Sequence, residues 1–281
     1  MFEEPMNGII DGRAIAADVL RATRERVAEL EYAPLVSAIV MSPNSATKSY
    51  LRIKSARAED AGMKLEVVRV AENATTEEVM SAVKTPGADA VIVQLPLPDS
   101  VTTILILDEI PLSQDADVLS QAAYESFVYR KEGALLPPVT AAIREVLLRT
   151  AYQDLSALKN KRVVIVGNGK LVGQPAAVWF EEMGANIDVI TRESKGLEEL
   201  AHADIVIIGA GSPYLVKPEM LKQGVVLIDA GTSESNGAIV GDADPACAEI
   251  ASVFTPVPGG MGPIAVACLF QNVAELVLTK S

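Results

Sequence analysis

The stretch 163-VVIVGNGKLVG-173 decides how the rest of the chain is read. Val163–Val166 is a short apolar run of the kind buried on both faces of a parallel sheet. It ends at Gly167-Asn168-Gly169, and a helical pattern from about Val172 to Met183 follows. Glycines between a strand and a helix allow a tight turn and close backbone approach, and the helix start offers N–H donors to a pyrophosphate. The spacing, G-x-G-x-x-x-G, is one residue longer than the usual dinucleotide fingerprint, and the same glycines would serve a plain strand-to-helix turn.

Outward from this unit the pattern repeats. Downstream, strands are expected at 187-IDVI-190, 204-DIVII-208 and 225-VVLIDA-230, with a hairpin around Ser235-Asn236-Gly237 and a long buried helix over 262–278. Upstream, a helix from Gly12 to Leu30 capped by Asp11 precedes strands at Leu35 to Met41, 65-LEVVRV-70 and 90-AVIVQL-95. Helices over 47–61 and 76–83 separate those strands, and one over 141–150 leads into the second unit. Apolar strands alternating with helices predict an α/β protein of two domains, with a cleft between them as the default site.

Composition narrows the chemistry. With 281 residues the chain has room for about two domains. Lys plus Arg is 24 against 37 for Asp plus Glu, a net charge of -13, which argues against nucleic acid or an anionic membrane as the main partner. Two cysteines, Cys247 and Cys268, build neither a disulfide framework nor a zinc site and suit a reducing cytoplasm. The single histidine, His202, lies away from every motif and reads as a surface residue, so histidine-based acid/base and metal chemistry have little to stand on. Cys268 reads as core and Cys247 as loop or helix surface.

Three features of the first half carry chemistry. Tyr50 and Lys54 are four residues apart on one predicted helix and share a face, although alone such a pair is usually a core tyrosine and a solvated lysine. Gln94 closes an apolar strand, and Pro96 and Pro98 stiffen the exit, so a neutral amide stands at the carboxyl edge of the sheet. Asp115 and Asp117 lie in the loop 115-DADVLS-120, where an ordinary turn aspartate is the bland reading.

Together with longer strings these residues match a family. The segment 50-YLRIKSARAEDAGM-63, the run 94-QLPLP-98, the loop 114-QDADVL-119, then 167-GNGKLVGQP-175, 241-GDAD-244 and 255-TPVPGGMGP-263 occur in that order. In this the chain resembles the methylenetetrahydrofolate dehydrogenase/cyclohydrolases over nearly its whole length. The resemblance implies oxidation of 5,10-methylenetetrahydrofolate with NADP and hydrolysis of the methenyl product to 10-formyltetrahydrofolate. It implies a folate-binding domain at 1–138 completed by a helix at 264–281, a Rossmann-like domain at 139–263, and a homodimer pairing through the nucleotide domains, with the hairpin near Asn236-Gly237 as a contact.

The resemblance also assigns residues. Lys54, Gln94, Tyr50 and Asp117 are the expected catalytic group, with Lys54 as acid/base, Gln94 orienting it and Asp117 anchoring the pterin. Tyr50, Leu95, Pro96, Asp117, Gly259, Gly260 and Pro263 are expected against the substrate. Gly167, Asn168, Gly169, Val172, Gly173, Thr191, Arg192, Thr232 and Thr255 are expected against the cofactor, and no metal is required. Arg192, just past the second strand of the nucleotide unit, favours the 2′-phosphate of NADP, whereas adjacent Glu193 opposes it and keeps NAD open.

Departures from the family pattern are specific. Asn168-Gly169 replaces an Arg-Ser pair and removes a cation at the phosphates. Thr191-Arg192 replaces His-Ser, and 137-PPVTAA-142 lacks the family's cysteine and glycine. Segment 41-MSPNSATKS-49 differs as well. Val118 replaces a glycine and is expected to crowd the pterin end. Two rivals follow: a folate-binding paralogue without dehydrogenase activity, and a two-domain dehydrogenase of another small substrate such as shikimate.

Overall fold

The computed structural model describes residues 8–41, 43, 45–84, 87–150, 152–194, 196–235 and 238–279. The chain divides into two compact units: residues 1–16 with 139–265, and residues 17–138 with 266–281. The division departs from the expected boundaries at the N-terminus. Gly8–Ile9 pairs in parallel with Val253–Phe254 and so extends the sheet of the nucleotide unit.

Unit 17–138/266–281 is built on a three-stranded parallel sheet in the order Lys64–Val70, Leu35–Met41, Ala90–Val93. The central strand is apolar throughout apart from Ser37, which is what burial on both faces demands. On one face Ile39, Met41, Val91 and Val93 pack with Val79 and Val83 of the helix Thr76–Val83 and with Ile106 of the short helix Thr103–Asp108. Thr75 and Glu78 form a reciprocal capping box at the start of Thr76–Val83. On the other face Ala38 and Val40 pack with Leu51 of the helix Ser45–Asp60. The helix Gln121–Val128 follows the loop that carries Asp117. Neither it nor Thr103–Asp108 is expected from the sequence, because six to eight residues span barely two turns and show no clear period.

Unit 1–16/139–265 carries a six-stranded sheet, parallel at every pairing, in the order Gly8–Ile9, Val253–Phe254, Val226–Asp229, Ile205–Ile208, Arg162–Val166, Asn186–Ile190. The order reverses about Arg162–Val166, whose neighbours follow it in sequence on either side. Ligands bind at such a switch point, outside the carboxyl ends of the strands. Trp179 and Phe180, edge to face with ring centroids 4.9 Å apart, are buried on the helix Gly173–Glu182.

The expected cap at the first helix is present: Asp11 Oδ1 accepts from the N–H groups of Arg13 and Ala14 at 2.9 and 3.2 Å, and the helix runs Gly12–Val27. The expected hairpin tip, Asn236-Gly237, lies outside the described residues, as do Ser42 and Asn44 of the divergent segment; Ser233–Ser235 and Ala238–Val240 pair antiparallel. Cys247 is fully buried, its thiol directed at the Val216 carbonyl, so the expectation of a surface position is overturned. Burial pushes that thiol up to about 11. The helix Met261–Leu278 has the length and apolarity of a membrane span, yet Phe270, Val273 and Ala274 on it are fully buried, the pattern of a core helix.

Candidate active site and dinucleotide loop

Lys54 enters the site from an unusual place. Along Ser45–Asp60 the side chains of Leu51, Lys54 and Ala58 are 7%, 6% and 0% exposed, so the lysine occupies the buried stripe of its helix. A buried ammonium needs partners. Its Nζ donates to Gln94 Oε1 at 3.3 Å and lies 5.3 Å from the centre of the Tyr50 ring. Gln94 is placed one residue past Ala90–Val93, where its N–H donates to the Ile39 carbonyl and continues the ladder. Its Nε2 donates to the Leu95 carbonyl at 2.9 Å, which turns Oε1 toward Lys54. Leu95-Pro96 is a cis peptide.

Asp117 completes the cluster. Burial pushes the Lys54 amine below its ordinary value, with the Asp117 charge pulling it back up. Burial likewise raises the Asp117 carboxyl, with Lys54 lowering it and Asp115 raising it further. The two groups therefore share a poorly solvated space in which burial and their opposite charges shift both, the kind of setting in which acid/base residues are found. Tyr50, Lys54, Gln94 and Asp117 are brought together here, all within one unit.

The loop bearing Asp117 is fastened from two sides. Asp115 is a turn aspartate: its carboxylate accepts from the Ser120 N–H at 2.8 Å and the Ser120 hydroxyl at 2.6 Å, and Ser120 caps Gln121–Val128. Asn272, on the C-terminal helix, donates both amide hydrogens, to the carbonyls of Ala116 at 2.9 Å and Leu136 at 2.8 Å. Asn272→Leu would strand two buried carbonyls at about 1–3 kcal/mol each. The expected result is a loss of roughly 2–6 kcal/mol in urea unfolding followed by circular dichroism, with a raised folate KM.

Val118 does not crowd this cluster. It sits at φ 57°, the left-handed region that explains the family's glycine at this step. Its side chain lines a cavity of about 430 Å³ with Leu112, Ala123, Leu135 and Leu276, and none of Lys54, Tyr50, Gln94 or Asp117 borders that cavity. Left-handed backbone costs a β-branched residue about 1–2 kcal/mol, which burial of a valine offsets.

The 167–173 loop is shaped by close backbone approach. Gly167 has φ 104°, and a Cβ there would lie 2.4 Å from the Gly209 carbonyl oxygen. At Gly173 a Cβ would lie 1.9 Å from the Gly167 carbonyl oxygen, so only glycine lets the helix start close on the loop. Asn168, Gly169 and Lys170 are exposed at the loop's tip, and Val172 precedes the helix as its cap. Lys170 supplies a cation at this tip, two residues beyond Asn168. Beyond Asn186–Ile190, Thr191 and Ser194 close a turn through mutual hydrogen bonds and leave Arg192 exposed.

Other expected positions fare differently. Thr232 is exposed in the loop after Val226–Asp229. Thr255 is fully buried, its hydroxyl accepting from the Asp229 N–H at 2.7 Å, so it braces the sheet and the expectation of a cofactor contact is corrected. Gly259, Gly260 and Pro263 belong to the nucleotide unit, where the Gly259 carbonyl accepts from the Gly12 N–H, and not to the unit that holds Lys54.

Asp229 gives this unit a pH signature. Burial raises its carboxyl to about 6 from an ordinary 3.8, against N–H donors from Ala243 and Gly231. A raised carboxyl contributes stability that is full below about pH 4 and lost as pH rises through about 6. Unfolding followed by Trp179 fluorescence should therefore show wild type losing on the order of 3 kcal/mol relative to Asp229→Asn across that window.

Known proteins share the organisation of both halves of the chain. Residues 10–117 match the family model of the tetrahydrofolate dehydrogenase/cyclohydrolase catalytic domain, and residues 137–281 match that of its NAD(P)-binding domain. The bifunctional protein FolD of Thermotoga petrophila is 34% identical over 273 residues, covering 95% of this chain and 97% of that protein. The crystal structure of the bifunctional FolD enzyme of Campylobacter jejuni superposes with a TM-score of 0.91 at 29% identity, covering 97% of this chain and 99% of that one. The Trypanosoma brucei methylenetetrahydrofolate dehydrogenase-cyclohydrolase, solved with NADP and an inhibitor, gives 0.88 at 29% identity over 98% of this chain and 99% of that one. With both halves matched in order, the chain belongs to the tetrahydrofolate dehydrogenase/cyclohydrolase family.

Proposed function

We propose that this protein oxidises 5,10-methylenetetrahydrofolate with NADP and hydrates the methenyl product to 10-formyltetrahydrofolate. The observation that carries the reading is a lysine buried on a helix face and hydrogen-bonded to Gln94 beside Asp117. Hydration adds water to the methenyl carbon and breaks its bond to N5. The Lys54 amine, whose proton burial loosens, takes the first proton from the attacking water in its neutral form and returns it to N5 as that bond breaks. The remaining hydroxyl proton leaves to solvent as the formyl carbonyl forms, so one proton is released per turnover. Gln94 holds the amine in place without adding charge, Tyr50 offers a half-exposed ring for stacking, and Asp117 accepts hydrogen bonds from the pterin edge. Leu95 and Pro96 flank this face.

A dinucleotide, when bound, takes the hydride from the one-carbon bridge. Gly167, Gly169 and Gly173 would carry its pyrophosphate, with Lys170 as the local cation and Arg192 on a 2′-phosphate. NADP in the Trypanosoma brucei relative supports the same choice here. The reading includes a homodimer formed through the nucleotide unit, supported by the open edge strand Asn186–Ile190 with Val189 exposed and by exposed Ile239 on the hairpin strand Ala238–Val240. It places the protein in a reducing cytoplasm, where two buried free thiols persist. Reduction of NADP and NAD in parallel with methylenetetrahydrofolate tests it: faster reduction of NADP is expected, reduction of NAD alone would overturn the cofactor choice, and reduction of neither would favour a folate-binding paralogue.

A further inference from the structure

We propose that Asp242 is a positioning residue for the dinucleotide half of the reaction, holding the backbone of residues 210–212 as one wall of the cofactor site. The inference rests on the reading of this unit as the NADP-binding one. Asp242 is fully buried, and its carboxylate accepts from three consecutive N–H groups: Ala210 at 2.7 Å, Gly211 at 2.8 Å and Ser212 at 2.7 Å. Those residues follow Ile205–Ile208, next to Arg162–Val166 at the switch point of the sheet. Their position bears directly on the glycine loop. The Gly209 N–H donates to the Val166 carbonyl at 2.9 Å, and the Gly209 carbonyl lies against Gly167.

A loop of Gly-Ala-Gly-Ser has almost no side chain with which to pack, so its conformation needs an external anchor. Three charge-assisted hydrogen bonds to one buried carboxylate supply it. They also commit the loop's N–H groups inward, which leaves the phosphates to the 167–173 loop. Asp242 itself is held by the backbone of its own segment: its carbonyl accepts from the Val216 N–H at 3.0 Å, and the neighbouring Asp244 N–H donates to the Val216 carbonyl at 2.9 Å. It touches the loop rather than the reacting atoms.

The test uses the whole protein. In Asp242→Asn one of the acceptor positions becomes a donor facing N–H groups. NADPH affinity, read from the fluorescence of the bound nicotinamide, is expected to weaken about tenfold or more, the loss of one charge-assisted bond. Methenyltetrahydrofolate hydration, which uses no dinucleotide, should stay within about twofold because its residues lie in the other unit. A variant that binds NADPH as wild type does, or that loses both properties in parallel, overturns the proposal. Hydrogen exchange on wild type needs no variant: the Ala210, Gly211 and Ser212 amides should be protected although Gly211 is exposed, and free exchange there would also overturn it. Wild type that binds neither NADPH nor NADH would overturn the underlying reading instead.

Discussion

Lys54→Met is expected to lower the rate of methenyltetrahydrofolate hydration by about 10²–10⁴-fold, the usual worth of a positioned acid/base group. The substitution keeps the length and apolar stem of the side chain and removes only the amine that Gln94 Oε1 accepts from. Burial works against the charged amine while Asp117 supports it, so its removal has two opposing effects and the thermal midpoint should shift little. Lys54→Arg would not restore the rate, since a guanidinium does not give up its proton in this range. The wild-type rate should climb with pH, because the neutral amine is the active form, with an inflection below the ordinary lysine value of 10.5. A Lys54→Met enzyme that hydrates at the wild-type rate would remove the lysine from the mechanism. Parallel collapse of stability and rate would reduce it to a structural role.

Gly173→Ala should have the largest effect on the other activity. A methyl at that position meets the Gly167 carbonyl oxygen at 1.9 Å and its carbon at 2.8 Å, and both partners are backbone, so the helix start or the loop must move. Overpacking of this kind costs about 3 kcal/mol, which converts to about a hundredfold in kcat/KM for NADP. Hydration should remain within about twofold, because Lys54, Gln94 and Asp117 belong to the other unit. Equal loss of both activities would mean that the substitution unfolds the chain; no loss would mean that the 167–173 loop does not cradle the dinucleotide.

How far the sequence could be read follows from the range of the forces involved. Strands such as Leu35–Met41 and the helix Thr76–Val83 are legible to the residue because period and capping are local. Gly8–Ile9 is not, since a two-residue strand has no period and exists only through its pairing with Val253–Phe254. The same distinction runs through the site. Tyr50 and Lys54 share a helix and can be placed together from spacing, but the burial of Lys54 depends on what packs over residues 51–58. Asn272 lies 156 residues from Ala116 and Asp242 lies 32 from Ala210, so neither anchor has a local signature. The burial of Thr255 and Cys247 is hidden for the same reason: each sits in a stretch with no clear period that the fold then covers. One signal was available. Asp242 stands in 241-GDAD-244 among glycines and apolar residues, and an acidic side chain in such a stretch needs a partner somewhere.

The most direct measurement is hydration of methenyltetrahydrofolate by the purified protein with no dinucleotide present, followed as loss of the methenyl absorbance. The Lys54–Gln94–Asp117 arrangement predicts catalysed conversion to 10-formyltetrahydrofolate, one proton released per turnover, and a rate about 10²–10⁴-fold lower in Lys54→Met. A wild-type rate equal to that in buffer would contradict it.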